Sequence, residues 1–303
     1  MIVADLRHEE LARTLAGAGL RLRTGPFVSR IRSRLPTLCD TIALHYAEHP
    51  LDDAGGFADF HVRLTAPRSL RRWVRPQVLF EFDDTAAFHP LPAGQAFPVL
   101  EWGLNWCVSA HCHQYLIVHA AVVEKSGSAL LLPAPPGSGK STLCAGLVTR
   151  GWRLLSDELA LIDPATGRII PLPRPIGLKN ASIAVIRAFA SRAVLGATVH
   201  DTAKGAVAHL KPPVDSVRRA AQAAMPRWVV LPRYEAGAGA RLKPVARGRA
   251  FMQLADNAFN YHLHGRSGFE LLAQLVEACA CYELAYGDLE QAVQACETIA
   301  AQP

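Results

Sequence analysis

The sequence predicts an α/β fold, because apolar segments of strand length alternate with helical segments and with turns rich in glycine and proline. Half of the 303 residues are hydrophobic and 19% are charged. This is the composition of a globular chain, and the length suits about two domains. The alternation is clearest from residue 115 onward, where the following elements come in close order: strand 115–123, turn 125–127, strand 129–133, a glycine-rich loop, helix 140–150 and strand 153–156.

The first 100 residues are expected to form a smaller α+β domain, which leaves 101–303 as the second domain. Leucines at helical spacing predict a helix over 5–19, and Gly17 and Gly19 end it. Apolar and basic residues alternate in part of the segment 21–35, as in a strand. The pattern then predicts strands at 57–64 and 78–82 and a helix at 100–111 that carries Trp102 and Trp106.

The rest of the chain continues the α/β pattern. A turn at 163–167 predicts a hairpin, and Gly237 and Gly239 predict a second hairpin between strands 228–232 and 241–245. The remaining predicted elements are helices at 180–192, 247–256 and 267–280, a strand at 282–286 and a last helix at 288–300.

Several classes of protein are excluded by composition. Thirty-two basic and 26 acidic residues give a net charge of +6. The sequence contains no long run of lysine and arginine, and it therefore does not indicate nucleic-acid binding. No apolar stretch reaches the roughly 18 residues of a membrane span, and the charged start is unlike a signal peptide. Seven cysteines without a C-x-x-C pair indicate reduced thiols and a cytoplasmic location.

A zinc site is not indicated by the one cluster of possible ligands, because the regular spacing of zinc ligands is missing in Cys107, His111, Cys112 and His113.

The strongest motif is the segment Ala134–Thr142, APPGSGKST. It follows the Walker A pattern G-x-x-x-x-G-K-[ST] with alanine at the first position, between an apolar strand and a helix. Backbone N–H groups of such a loop bind phosphate, the lysine reaches the β- and γ-phosphates, and the serine hydroxyl binds Mg²⁺. The expected ligands are ATP and Mg²⁺, and the expected binding residues are Pro136, Gly137, Ser138, Gly139, Lys140, Ser141 and Thr142.

Two further positions could complete a phosphotransfer site. Asp157 and Glu158 follow the strand 153–156, which we expect beside the strand that precedes the loop, so that both carboxylates face the phosphates. They could hold Mg²⁺ or accept a proton, and the alternative is an acidic pair that caps a turn. His119 lies in an apolar strand, where a histidine is more often a core residue.

These residues together resemble a known family. The segment 118–163, VHAAVVEKSGSALLLPAPPGSGKSTLCAGLVTRGWRLLSDELALID, resembles the catalytic core of HPr kinase/phosphorylase. Both have a histidine before the loop, a glycine-rich loop ending in Gly-Lys-Ser, and a following strand that ends in two acidic residues. The whole chain is similar to the HPr-kinase-related proteins called HprK-related kinase A, through the segments 23–33, 174–180 and 282–292.

The resemblance implies a P-loop kinase domain of the HPr kinase and phosphoenolpyruvate carboxykinase type. It implies transfer of phosphate from ATP to a serine of a peptide or protein. Lys140 and Ser141 would be the phosphate and metal residues, and Asp157 would take the proton from the acceptor serine. Glu158 stands where the family has a second aspartate, and His119 matches the family histidine near the γ-phosphate.

The chain departs from the family at one place. The family has a metal-binding glutamate in an E-x-R-G segment, whereas residues 173–179 contain no carboxylate and carry Arg174 and Lys179. This difference argues against a second metal and against the reverse, phosphorylase reaction. Two alternatives stay open: a kinase of a small-molecule alcohol such as free serine, and a nucleotide-binding regulatory module with weak activity. The sequence also leaves open a homo-oligomer.

Overall fold

A computed structural model describes residues 1–53 and 55–302 and shows a mixed α/β fold. Within these residues the α-helices are α1 His8–Ala16, α2 Pro36–His45, α3 Ala96–His111, α4 Lys140–Thr149, α5 Ala181–Phe189, α6 Val214–Arg218, α7 Arg247–Asp256, α8 Tyr261–Ala278 and α9 Leu289–Ala300. Short 3₁₀ helices lie at Val3–Asp5, Leu70–Arg72 and Ala93–Gln95.

The strands are grouped in three sheets. In chain order they are β1 Leu20–Thr24, β2 Phe27–Ser33, β3 Phe60–Thr65, β4 Gln77–Phe82, β5 Thr85–Ala86, β6 Leu91–Pro92, β7 Leu116–Lys125, β8 Ser128–Pro133, β9 Arg153–Ser156, β10 Leu159–Ile162, β11 Ile169–Ile170, β12 Ile176–Lys179, β13 Val199–Thr202, β14 Gly205–Leu210, β15 Met225–Tyr234, β16 Arg241–Pro244 and β17 Ala280–Tyr286.

The N-terminal sheet has the order β1-β2-β3-β4-β5, with β6 also paired to β4. The pair β2–β3 is parallel and the other neighbours are antiparallel. Helices α1, α2 and α3 share one apolar core with this sheet. Helix α3 approaches β4 closely because Gly103 has no side chain: a Cβ there would lie 2.1 Å from the Phe80 ring. The core also includes Ile117, Leu159, Leu161 and Leu172 from the following part of the chain.

The central sheet has the order β11-β10-β7-β8-β15-β17-β16, and β9 also pairs with β7. The side chains of strand β8 point alternately to the two faces of the sheet, and both faces are buried. Leu130 and Leu132 pack on the side of α4 and α9, and Ala129 and Leu131 pack on the side of α7 and α8. The glycine-rich loop leaves this buried strand at its carboxyl end.

Two strand neighbours differ from the sequence-based expectation. Strand β9 does not lie beside β8, because β7 separates them: one edge of the ten-residue β7 pairs with β10 near its start and with β9 near its end. Strands β15 and β16 do not form a hairpin either. Strand β17 lies between them, parallel to β15 and antiparallel to β16. In the first case the expected position is taken by β7, the hairpin partner of β8, and in the second by β17 from near the end of the described chain.

A third sheet, β12-β14-β13, comes from a region where the sequence predicted only the helix α5. It is antiparallel, and its strand β12 passes beside the carboxyl end of β9 through the contact of Gly177 with Asp157. Among the described residues, no helix is long and apolar enough to cross a membrane.

Candidate active site at the glycine-rich loop

The loop 134–139 joins β8 to α4 and is fixed to the neighbouring strands by its backbone. Gly137 and Gly139 have φ values of +87° and +90°, which favour glycine. The Tyr286 hydroxyl at the end of β17 donates to the Gly139 carbonyl at 2.9 Å. The backbone N–H of Tyr234, at the end of β15, donates to the Ser138 carbonyl at 3.0 Å. The loop therefore has a defined shape at the carboxyl ends of two parallel strands.

Lys140 begins α4 and its side chain is almost fully buried, with 6% of the residue exposed. Its Nζ lies 3.7 Å from Glu158 Oε2 and, among the described residues, has no hydrogen-bond partner. The buried Ser138 hydroxyl is also unpaired within this set. A buried polar group without a partner costs roughly 1–3 kcal/mol, so two of them at one loop indicate a place for a polar ligand.

Asp157 lies directly after β9 and is buried, with 5% exposed. Its Oδ2 accepts the Gly177 N–H at 3.0 Å, whereas Oδ1 has no hydrogen-bond partner within the described residues. Burial and the neighbouring charge of Glu158 raise the pKa of Asp157, although Lys140 and the nearby Ser141 hydroxyl oppose the rise. A carboxylate with a free oxygen and a raised pKa is suited to accept a proton.

Glu158 is held in the charged form. Its Oε2 accepts a hydrogen bond from His119 Nε2 at 2.8 Å, and Lys179 Nζ lies 4.0 Å from its Oε1. Burial alone would raise the pKa of Glu158, but the hydrogen bond from His119 and the charges of Lys140 and Lys179 outweigh it and lower the pKa. The pKa values of the two adjacent carboxylates are therefore shifted in opposite directions, as in a site that needs one base and one permanent anion.

His119 is oriented by the segment that follows α7. Its backbone N–H donates to the Asn257 carbonyl at 2.7 Å, and its ring centre lies 5.9 Å from that of Phe259. Asn260 fixes this segment to β7: it accepts from the Ile117 N–H at 2.9 Å and donates to the Tyr115 carbonyl at 2.8 Å. His119 is thus a partner of Glu158 rather than a residue enclosed in the apolar core.

Two residues at the site were missed by the sequence analysis. Lys204, in the turn between β13 and β14, lies with Nζ 4.9 Å from the ring centre of Trp102 on α3. Partial burial, and then the charges of Lys179 and Lys140, lower the pKa of Lys204. Trp102 lies on α3, and nothing in the sequence pattern of this helix indicates a contact with a lysine. No local motif marks Lys204, because a separate sheet brings it to the site from 64 positions beyond Lys140.

The structure brings His119, Lys140, Ser141, Asp157 and Glu158 together. Pro136 and Gly137 are exposed on the loop, and Thr142 lies in the first turn of α4, partly exposed. Within the described residues, no three His, Cys, Asp or Glu side chains are grouped as metal ligands. Cys107 and Cys112 are buried, and burial raises the pKa of each thiol to about 12.

Comparison with known proteins adds no relative: no family model matches the chain, and no curated protein is similar to it in sequence. The function of the chain is therefore inferred from the geometry of this site.

Proposed function

We propose that the protein is an ATP-dependent kinase that transfers the γ-phosphate to a serine hydroxyl of a peptide or protein. We further propose that its catalytic part is a P-loop kinase domain of the HPr kinase and phosphoenolpyruvate carboxykinase type. One observation carries the proposal. A buried aspartate with an unpaired oxygen lies between the first turn of α4, at Ser141, and the backbone of β12, at Gly177.

The loop supplies the groups that a triphosphate needs. The backbone N–H groups of Gly137 and of residues 139–141, together with the N-terminus of α4, favour bound anions. The unpaired Lys140 Nζ and Ser138 hydroxyl fit phosphate oxygens, which would satisfy both buried groups. Lys140 also places a full positive charge beside the transferred phosphoryl group.

The residues present also fit a magnesium ion. The Ser141 hydroxyl and the anionic Glu158 are hard oxygen donors that would hold the ion, which leaves the unpaired oxygen of Asp157 free for a proton, and Mg²⁺ takes one or two carboxylates and completes its shell with phosphates and waters. When bound, the ion would offset the charge that builds up on the phosphate oxygens. A Mg²⁺ site of this kind needs no third protein carboxylate.

Asp157 acts as the base in this proposal. The acceptor serine O–H gives its proton to the Asp157 carboxylate while the serine oxygen forms a bond to the γ-phosphorus. The bond from the γ-phosphorus to the bridging oxygen breaks, and ADP leaves. A serine hydroxyl is a weak nucleophile at neutral pH, so a base in hydrogen-bond reach contributes about 10²- to 10⁴-fold. Glu158 stays anionic through His119 and Lys179, which leaves the proton-accepting role to Asp157.

The test is transfer of label from γ-³²P-ATP, with Mg²⁺, to a degenerate serine peptide library and to free L-serine. We expect the wild type to label an acceptor, and Lys140→Met to lose both the labelling and the stabilisation by ATP. Lys125→Met is the control, because Lys125 pairs with Glu297 away from the loop. Stabilisation by ATP without labelling of any acceptor contradicts the kinase and favours a nucleotide-binding module.

A further inference from the structure

A small cavity of about 30 Å³ adjoins Asp157. Among the described residues its lining comes from α3, from the end of β9 and the two carboxylates that follow it, Asp157 and Glu158, from the segment 172–179 and from β14, and no residue of the glycine-rich loop lines it. Asp157 is therefore shared between two spaces, because Ser141 lies on its loop side and Gly177 on the side of β12. The triphosphate belongs to the loop side, which leaves the cavity for the other reactant.

Arg174 is the cation of this cavity. It is buried, with 7% exposed, and the N-terminal domain holds the segment around it. The turn at Gly25 approaches the Pro171 carbonyl so closely that a Cβ would lie 2.2 Å from that oxygen, and His49 Nε2 donates to the Pro173 carbonyl at 2.9 Å. The position of Arg174 is thus fixed by several contacts.

The guanidinium of Arg174 is incompletely satisfied. Its Nη2 donates to Asn105 Oδ1. Its Nη1 is buried, lies 3.9 Å from Glu101 Oε2, and has no hydrogen-bond partner within the described residues. The other oxygen of Glu101, Oε1, accepts from the Tyr46 hydroxyl, and the 3.9 Å between Oε2 and Nη1 is too long for a hydrogen bond. A guanidinium has five N–H donors, so Arg174 has capacity left for an anionic ligand.

Two lysines join Arg174 in offsetting the three carboxylates of the lining, which are Glu101, Asp157 and Glu158. Lys179 lines it with a side chain that is 34% exposed, and Lys204 lies over the ring of Trp102, which also lines it. Only small polar groups fit in the space. A planar carboxylate matches the fork of an arginine, and a cavity of this volume has room for little more than one such group.

We propose that this cavity binds a carboxylate of the phosphate acceptor, so that the acceptor carries a carboxylate next to its reactive hydroxyl. Naming the acceptor in this way depends on the kinase function proposed above. The carboxylate can come from the serine itself or from an acidic side chain beside it in a peptide. In either case Arg174 holds the carboxylate and turns the neighbouring hydroxyl toward Asp157, which lines the same cavity.

Binding is measured on the full chain without nucleotide, by tryptophan fluorescence at pH 8. One probe pair is L-serine and L-serinamide, and the other is acetyl-Gly-Ser-Glu-Gly-amide and acetyl-Gly-Ser-Gln-Gly-amide. The members of each pair differ only in the carboxylate. Trp102→Phe shows which part of the signal comes from the cavity.

We expect the wild type to bind the carboxylate member of at least one pair about tenfold more tightly or better than the neutral member, as for a hydrogen bond to a charged group. The first pair reports an α-carboxylate and the second an acidic side chain. Arg174→Met should reduce the ratio to about one. Because this change leaves Glu101 buried without its cation, the double variant Glu101→Gln/Arg174→Met is measured as well, and it should show the same loss.

Equal affinity for both members of both pairs, or no binding of any probe, would overturn the proposal. So would a preference that survives in both Arg174 variants. Failure of the kinase is a separate result: carboxylate preference in a protein that labels no hydroxyl supports this binding site and contradicts phosphotransfer. Labelling of acceptors without any carboxylate preference does the reverse.

Discussion

Replacing Gly139 by alanine should destabilise the protein much more than the same replacement at Gly137. Both glycines have nearly the same positive φ, +90° and +87°, so both variants lose about 1–2 kcal/mol to backbone strain. The surroundings differ. A Cβ at Gly139 would lie 2.3 Å from the Tyr286 hydroxyl and 3.2 Å from Tyr234 Cβ, whereas a Cβ at Gly137 has nothing within 4 Å.

The extra cost at Gly139 has two parts. Overpacking of this kind costs about 1–3 kcal/mol. Displacing Tyr286 also weakens its hydrogen bond to the Gly139 carbonyl, which is worth about 1 kcal/mol. We therefore expect Gly139→Ala to lower the free energy of unfolding by about 3 kcal/mol more than Gly137→Ala does.

Urea denaturation of both variants measures this difference. Tyr286→Phe removes the oxygen that a new Cβ would meet, so the cost of Gly139→Ala should be smaller by about 1–2 kcal/mol in that background. Equal costs for the two alanine variants, or no coupling to Tyr286, would show that the loop does not pack against β17 as described.

Three further predictions concern Asp157, the metal count and the buried charges. Burial raises the pKa of Asp157 to about 6, so its contribution to stability is present below about pH 4 and is lost as the pH rises through 6. Asp157→Asn should therefore raise the thermal midpoint of the ligand-free protein at pH 8 but not at pH 4. Equal shifts of the midpoint at both pH values would show that a charged, buried Asp157 carboxylate does not destabilise the protein. Segment 173–179 has no carboxylate to anchor a second metal, so phosphorylated product with Mg²⁺ and inorganic phosphate should give no pyrophosphate; robust release in an enzymatic pyrophosphate assay would contradict a single-metal site. Glu124→Ala should cost about 3–5 kcal/mol in urea denaturation, because it leaves the buried Arg153 without its carboxylate partner, and a loss below 1 kcal/mol would show that the backbone carbonyls near Arg153 suffice.

The parts of the site that are local in sequence could be predicted. The loop, the start of α4 and the position of Asp157 at the end of β9 follow from short segments whose strand, turn and helix patterns are self-contained. The mixed α/β class follows from the same alternation. The pairing of strands could not be predicted, because it depends on long-range contacts. No single segment indicates that β9 pairs with the second edge of β7, or that β17 lies between β15 and β16.

The contacts of the basic residues at the site could not be predicted from the sequence either. The charges of Arg174 and Lys179 are visible in the sequence, but the burial of Arg174 and the contacts of the two residues with Glu101 and Glu158 depend on how α3 and β12 pack. Lys204 lies in a turn of the third sheet and Trp102 lies on α3, so the two residues meet only in the folded chain. The pair of His119 and Glu158 likewise joins residues 39 positions apart.

Phosphotransfer by Asp157→Asn, compared with ATP binding by the same variant, shows whether Asp157 is the base of the reaction. Asparagine keeps the size of the side chain and removes the proton acceptor. We expect label transfer from γ-³²P-ATP to fall by about a hundredfold or more while the affinity for ATP stays within about threefold. Transfer at the wild-type rate by Asp157→Asn, or equal losses of rate and ATP affinity, would contradict a base at Asp157.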